Sequence, residues 1–408
     1  MPTVLARWQP FPTPAKAEEV TIGSRLGGEC RIFRGMRRAI VVLLLSMAAW
    51  PPAPALHAEP APPDAQARFI AGLPVHDTPL EELSLSPAWA AHAVAFDSDW
   101  KRLEKSQLGP IHQWAADRLA EGVASTNPLL YMFSGPDILY AQAFFPKAST
   151  YVLCGIEPIG ALPDVKKIPR EALAPALHGL EKSLDSVLNF SFFITKEMKE
   201  HFKNTQLSGT LPVLYTFLAR SGCHLDDVRM VTISSAGVMS DGSGPTPGVK
   251  ITFTRAGQEP QTLYYICTDL SDDAVPKSGF LKWLDQLGKA NGFAKAASYL
   301  MHGSNFSKIR QQLLNQCQLI VQDDSAIPVK YFSPENWVLQ FYGRYLGPLS
   351  LFKQYPPEPE LMDAYRHSNV PTIPFSFGYR WHPHESTLIV AERRAGPIPI
   401  KPATPATP

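Results

Sequence analysis

In the stretch Leu129-Leu130-Tyr131-Met132-Phe133-Ser134-Gly135-Pro136-Asp137, a continuous apolar run is followed by a turn. Such a run, bounded by turn residues, is typical of a buried strand. Asp137 can cap a helix over 138–145, and a second apolar run, Thr150-Tyr151-Val152-Leu153-Cys154, follows it. Strand, tight turn, short helix and strand together predict the opening unit of a parallel α/β sheet.

The regions on either side extend this unit. A helical pattern over 97–123 precedes the first strand and predicts a helical N-terminal layer. Two β-rich runs over 249–254 and 262–268, joined by a turn, predict an antiparallel hairpin.

The C-terminal third returns to helices and then becomes rich in aromatic residues. The pattern predicts a helix over 279–302 and a C-terminal β-hairpin that pairs 374–381 with 387–391. We therefore predict an α/β protein with a mixed, mainly parallel sheet, flanking helices and a Rossmann-like opening unit.

The N-terminal region has the pattern of a secretory signal peptide. Met36-Arg37-Arg38 precedes a dozen mostly apolar residues, and prolines and small residues follow up to Ala58. We expect cleavage near Ala58 and a periplasmic or secreted protein. The predicted segments are a non-native leader or misplaced start (1–35), the signal peptide (36–58), a disordered linker (59–67), a single α/β domain (68–394) and a disordered proline-rich tail (395–408).

Composition and charge exclude two classes of partner. Removal of residues 1–58 leaves 31 basic and 34 acidic residues, a net charge of −3 with no basic cluster, so no nucleic-acid partner is predicted. The apolar run is shorter than the roughly 20 residues that cross a bilayer, so no permanent membrane anchor is predicted. Both free thiols and disulfides are compatible with the four remaining cysteines, which are Cys154, Cys223, Cys267 and Cys317.

Acid and hydroxyl side chains follow several predicted strands. Ligands of open α/β sheets bind beyond the carboxyl ends of the strands, and converging carboxylates can hold a divalent cation or act as acid and base. Each of these residues taken alone can be explained as a helix cap or a turn residue, so the hypothesis of a binding or catalytic site applies only to the group as a whole. The catalytic candidates are Ser134, Asp137, Glu157, Asp323 and Asp324, and the weaker metal-ligand candidates are Asp269, Asp323, Asp324, His382 and His384.

Two further segments have both a functional and a structural interpretation. His382 and His384 could bind a metal beside Glu385, although a polar hairpin turn explains the same residues. Aromatic and polar residues alternate over 342–348 and 375–381. The alternation is compatible with a glycan- or peptide-binding surface, but we favour ordinary strands with one buried face.

Glu157 follows the second strand about 20 residues after the Ser134–Asp137 loop, where an acid can bind ribose hydroxyls. In this respect residues 129–158 resemble S-adenosylmethionine-dependent methyltransferases, some of which end their second strand in Gly-x-Glu-Pro. The resemblance implies a related topology. The loop has one glycine and a proline where the cofactor site needs several glycines, so no cofactor is assigned.

Ser134 lies on a strand-to-helix turn, as a hydrolase nucleophile does. The nucleophile elbow requires glycines two residues before and after the serine, and here Met132 and Pro136 occupy those positions. We therefore expect an exported protein that binds a small ligand or an envelope partner at the strand ends. The alternative is a hydrolase or transferase that uses the acidic strand-end group, with or without a divalent metal.

Overall fold

The computed structural model describes residues 61–190 and 207–394. Within them, ten strands form one mixed sheet in the order β4-β3-β5-β6-β2-β1-β7-β8-β10-β9. The strands are β1 (Leu129–Tyr131), β2 (Thr150–Gly155), β3 (Cys223–Ile233), β4 (Met239–Asp241), β5 (Thr246–Arg255), β6 (Gln261–Cys267), β7 (Ala290–Ala294), β8 (Cys317–Gln322), β9 (Trp337–Gly343) and β10 (Thr387–Arg393).

Helices cover both faces of this sheet. They are α1 (Pro63–Ile70), α2 (Glu81–Ser84), α3 (Pro87–Leu103), α4 (Gly109–Arg118), α5 (Ala120–Ala124), α6 (Ile138–Phe144), α7 (Arg170–Phe190), α8 (Leu211–Arg220), α9 (Phe280–Gln286), α10 (Ser307–Gln316) and α11 (Pro359–His367). One hydrophobic cluster joins α1, α3, α4, α6, α7 and α8 to one face, and the second joins α9 and α10 to the other. Adjacent strand residues alternate between the two clusters, as Tyr131 and Leu130 do.

The expectation of a mainly parallel sheet is corrected by the strand pairings. The five central strands, in the order β6-β2-β1-β7-β8, are parallel, whereas the strands outside them pair antiparallel. The predicted hairpin of 249–254 with 262–268 is confirmed as β5 and β6. Its short turn is one reason for the difference, since a connection of a few residues can join only antiparallel strands.

The predicted helix over 279–302 is wrong. Helix α9 ends at Gln286, and residues 290–294 form β7, which pairs with β1 and β8 in the middle of the sheet. Gly292 lies against β8 there, because an added Cβ would be 3.0 Å from Cγ1 of Ile320. Tertiary packing thus decides the structure of a segment that has little β-propensity of its own.

The predicted C-terminal hairpin is wrong in its partner. β10 pairs with β9 and β8, and residues 374–381 form no strand. Phe375 and Phe377 are buried, and their rings lie 5.9 and 5.5 Å from that of Phe144. The aromatic residues of 374–381 therefore pack an irregular segment against the core.

The predicted leader, signal peptide and proline-rich tail lie outside the described residues. The predicted disordered linker 59–67 includes the start of α1, which is ordered because its Phe69 and Ile70 are fully buried. The four described cysteines are free thiols, and Cys154 and Cys267 pack on opposite faces of the sheet. Among residues 61–190 and 207–394, no helix has the length and apolar character needed to cross a membrane.

One edge of the sheet collects the carboxyl ends of seven strands. The five parallel strands end there, and so does β9, because both β9 and β8 are antiparallel to β10. β3 ends there as well, because both β3 and β6 are antiparallel to β5. The order of the parallel strands reverses between β1 and β7, the position at which open α/β sheets bind ligands. This carboxyl-end edge is therefore the place to look for a site.

Candidate functional site

A buried ion pair lies beyond β1. Lys295, the first residue after β7, places its Nζ 2.9 Å from Oδ2 of Asp137, and both side chains are almost fully buried. The same Oδ2 accepts the Tyr131 hydroxyl at 2.9 Å, and Oδ1 accepts the amide of Tyr140 at the start of α6. Burial raises the pKa of Asp137 and lowers that of Lys295, and the attraction between their charges opposes both shifts.

The loop after β7 has a strained backbone. Ala296, Ser298 and Tyr299 have φ values of 56°, 54° and 56°. This left-handed region costs a non-glycine residue about 1–2 kcal/mol. The Tyr379 hydroxyl supports the loop, because it accepts the Ser298 amide at 3.1 Å and donates to the Ala296 carbonyl at 2.7 Å. Strain of this kind persists only where neighbouring groups hold it.

Successive amides of this loop point at side chains that follow β8. The Ala296 amide donates to Oδ2 of Asp323 at 3.0 Å, and the Ala297 amide donates to Oγ of Ser325 at 2.7 Å. Consecutive amides around a concavity are a common anion-binding arrangement. The carboxylate of Asp323 supplies the negative charge at this place.

Asp323 is enclosed by its neighbours. Its Oδ1 accepts the amide of Ser325 at 3.1 Å and the hydroxyl of the same residue at 2.6 Å. Gly378, with a φ of 67°, lies directly against the carboxylate, because an added Cβ would be 2.1 Å from Oδ2. Burial, and then the neighbouring charge of Asp324, raise the pKa of Asp323.

Asp324 belongs to a second buried set of polar groups. Its Oδ2 accepts the Tyr299 hydroxyl at 2.6 Å, and its carbonyl accepts Nε2 of His302 at 3.1 Å. Oε1 of Glu358 lies 3.6 Å from the same Nε2. Burial lowers the pKa of His302 to about 4 and raises that of Glu358 to about 8, so both groups are held in their neutral forms.

Ser134 and Glu157 lie on the other side of β1. The Ser134 hydroxyl accepts the amide of Cys154 at 3.1 Å and donates to the Gly135 carbonyl at 2.8 Å, so it bridges the ends of β1 and β2. Glu157 is buried and accepts the Tyr265 hydroxyl at 3.2 Å. Three strand spacings, roughly 14 Å, separate β2 from β8.

The structure thus brings together only part of the predicted group. Asp137, Asp323 and Asp324 lie near one another, and the charge of Asp323 favours the charged form of Lys295. We refer to these four residues as the buried acidic cluster. Ser134 bonds to β2 and Glu157 bonds to Tyr265 of β6, and both lie beyond hydrogen-bond reach of Asp323.

The remaining candidates lie in exposed turns. Asp269 accepts the Ser271 amide at 2.8 Å, as a turn-forming aspartate does. His382 and His384 are exposed and stack their rings at 5.4 Å. Within the described part of the chain, no three His, Cys, Asp or Glu side chains are grouped as metal ligands.

Lys295 is the residue that sequence reasoning missed. Its position was hidden by the prediction of a helix over 279–302, in which a lysine would be one exposed residue among several. The available signal was the short apolar stretch Ala290–Ala294, with a charged residue directly after it. The same arrangement occurs at β8, where Asp323 follows the strand directly.

A surface groove opens on the same edge, beyond β9. It has a volume of about 530 Å³, and its walls are the loop after Gly343 and helix α11 with the residues that follow it. We call it the arginine groove and define it by Arg344, Tyr345, Leu346, Pro357, Tyr365 and Arg366. It is connected to the buried acidic cluster through Glu358. The amide of Glu358 donates to the Tyr345 hydroxyl, and its carboxyl lies 3.6 Å from Nε2 of His302, which bonds to the Asp324 carbonyl.

The sequence matches no protein-family model, and the chain has no match among curated proteins or solved structures.

Proposed function

We propose that this protein binds a small ligand or an envelope partner at the carboxyl-end edge of its sheet, without chemical turnover. One observation supports this most directly. Each carboxylate of the buried acidic cluster already has partners within the protein, and that of Asp323 accepts three hydrogen bonds. A general base must be within reach of a substrate proton, and these oxygens are committed to the fold.

The topology supports the same edge. We infer a Rossmann-like layout in which α1–α5 form a helical N-terminal layer. The single reversal between β1 and β7 in the strand order β6-β2-β1-β7-β8 supports it. The crevice at this reversal is filled by Lys295 and Asp137. Binding therefore takes place beside the crevice, on the part of the edge that remains open.

The test combines binding with chemical analysis of the ligand. The purified protein is screened against metabolites and glycans by thermal shift, and each ligand that raises the Tm is recovered and analysed by mass spectrometry. We expect a saturable increase in Tm and an unchanged ligand. Conversion of more than one equivalent per protein would contradict the proposal.

A hydrolase or transferase is the second candidate, and one observation favours it. Burial raises the pKa values of Asp323 and Asp324, and the charge of Asp324 raises that of Asp323 further, as in many catalytic acids. This function predicts that Asp323→Asn abolishes turnover of any converted ligand. Lys147→Gln, at an exposed site before β2, should leave that turnover unchanged.

Export is a separate proposal that rests on residues 36–58. Intact mass spectrometry of the mature protein from outside the cytoplasm should give the mass of 59–408. A mature protein that retains residues 36–58 would contradict cleavage near Ala58.

A further inference from the structure

We propose that the arginine groove binds a compact anionic sugar through a carboxylate or phosphate. This inference rests on the proposed function, for which it names the site and the class of ligand. The volume of the arginine groove, about 530 Å³, lies in the range of small-molecule sites. The argument depends on charge, on the shape of the floor and on the rigidity of the walls.

Two arginines that have no charged partner among the described residues line this groove. Arg344 and Arg366 are exposed, and neither guanidinium forms an ion pair or side-chain hydrogen bond with the described residues. Of the described residues, none with an acidic side chain lines the groove. A guanidinium donates two parallel hydrogen bonds to a carboxylate or phosphate, so an anion is the ligand that satisfies both groups.

The floor of the groove is aromatic. The rings of Tyr345 and Tyr365 lie 6.1 Å apart. Their hydroxyls are engaged, because Tyr365 donates to the Tyr342 carbonyl at 2.9 Å and Tyr345 accepts the Glu358 amide at 2.8 Å. The rings therefore present mainly apolar surface, which suits the flat face of a sugar ring.

The two walls are joined by hydrogen bonds. Tyr365 connects α11 to β9, and Tyr345 connects the loop after β9 to Glu358, the residue before α11. The Gly343 amide donates to the Pro371 carbonyl at 2.7 Å. Arg380 donates to the carbonyl of Gly347 at the far end of the loop. Binding to walls already held in place requires little ordering of the protein, which favours affinity.

The test measures binding of three probes, glucuronate, glucose 6-phosphate and uncharged glucose, by isothermal titration calorimetry. The variants are Arg344→Gln/Arg366→Gln and the control Lys147→Gln/Lys289→Gln. The control removes the same two charges from exposed sites before β2 and β7, at the opposite edge of the sheet. Thermal melts verify that each variant is folded.

We expect the wild type to bind at least one anionic probe roughly tenfold or more tightly than glucose, since charge-assisted hydrogen bonds are the strong ones. The arginine variant should lose that preference and the lysine control should keep it. Tighter binding of glucuronate would show that the groove recognises a carboxylate. Tighter binding of glucose 6-phosphate would show that it recognises a phosphate. The affinity should fall between about 0.01 and 0.15 M salt, because these charges are exposed.

Equal binding of the three probes, no binding of any, or full binding by the arginine variant would overturn the assignment. If a ligand found in the thermal-shift screen binds the Arg344→Gln/Arg366→Gln variant as tightly as the wild type, the groove is not the binding site. The proposed function would remain in place. Conversion of a probe by the wild type would instead contradict binding without turnover. The two proposals therefore fail in different ways.

Discussion

The buried acidic cluster and the arginine groove lie on the same edge of one sheet and use their charges in opposite ways. In the cluster, Lys295 is paired with Asp137, and Asp323 is bonded to backbone amides. In the groove, the guanidinium groups of Arg344 and Arg366 have no ion-pair or hydrogen-bond partner among the described residues. A charged group that is already paired within the protein is unavailable to a ligand. The partners of a charged group therefore indicate better than its position whether it can bind a ligand.

The largest expected effect comes from breaking the ion pair. Lys295→Met leaves Asp137 buried without its cation, which should lower the free energy of unfolding by about 3–5 kcal/mol. Urea unfolding measures this change. Lys295→Met with Asp137→Asn removes both charges and should recover most of the loss. Equal losses in the two variants would mean that packing, and not charge, makes Lys295 important.

Gly378→Ala tests how tightly Asp323 is enclosed. The added Cβ would lie 2.1 Å from Oδ2 of Asp323, so we expect a loss of about 3 kcal/mol from overpacking and left-handed strain. Gly257→Ala is a matched control, since Gly257 has a φ of 74° and no heavy atom within 4 Å. It should cost only about 1 kcal/mol in urea unfolding. Similar losses at both sites would show that the cluster has room to relax.

Glu358 should make stability depend on pH. Its pKa is about 8 in the folded protein, against about 4.3 in an unfolded chain, so the folded state binds more protons between these values. The stability that Glu358 confers should thus fall as pH rises through this window, by at most about 1.4 kcal/mol per pH unit. Glu358→Gln should remove the part of the decline that Glu358 causes, whereas Asp323, whose pKa is also raised by burial, should continue to contribute to it.

His302 acts in the opposite direction. Its pKa is about 4 in the folded protein, below the unfolded value of about 6.5, so its contribution to stability is lost as pH falls through that interval. Urea unfolding of both proteins across the range separates the two groups, because only the difference between wild type and Glu358→Gln reports Glu358. A constant difference across pH would mean that Glu358 is charged in the fold.

The smallest effect on stability is expected in the groove. Arg344→Gln/Arg366→Gln removes exposed charges without partners, so the free energy of unfolding should change by less than about 0.5 kcal/mol. The same urea titration measures it. A clear gain would show that mutual repulsion strains the groove, and a clear loss would assign the arginines a structural role.

The sequence predicted elements whose local patterns agree with their environment. The apolar runs of β1 and β2, the hairpin of β5 and β6 and the cap at Asp137 follow from residue type and spacing. β7 was missed because Ala290–Ala294 contains no β-branched residue, and its conformation depends on its pairing with β1 and β8.

The candidate site was predictable only in part. Spacing placed Asp137, Asp323 and Asp324 after strands, and the structure keeps them near one another. The separation of Glu157 depends on strand order, which reverses between β1 and β7 and leaves no local trace in the sequence. The positions of Lys295 and Tyr379 depend on irregular loops, whose course is determined by contacts distant in sequence.

The central position of β1 constrains the order in which the chain is completed. Leu129 pairs with Tyr151 on one side and with Asn291 on the other. While the polypeptide is being synthesised, β1 can acquire its first neighbour early, but its second edge stays open until β7 emerges. A partial chain that ends before β7 exposes this edge to pairing with other chains. Newly made protein therefore depends on reaching residue 294 before the middle of the sheet can close.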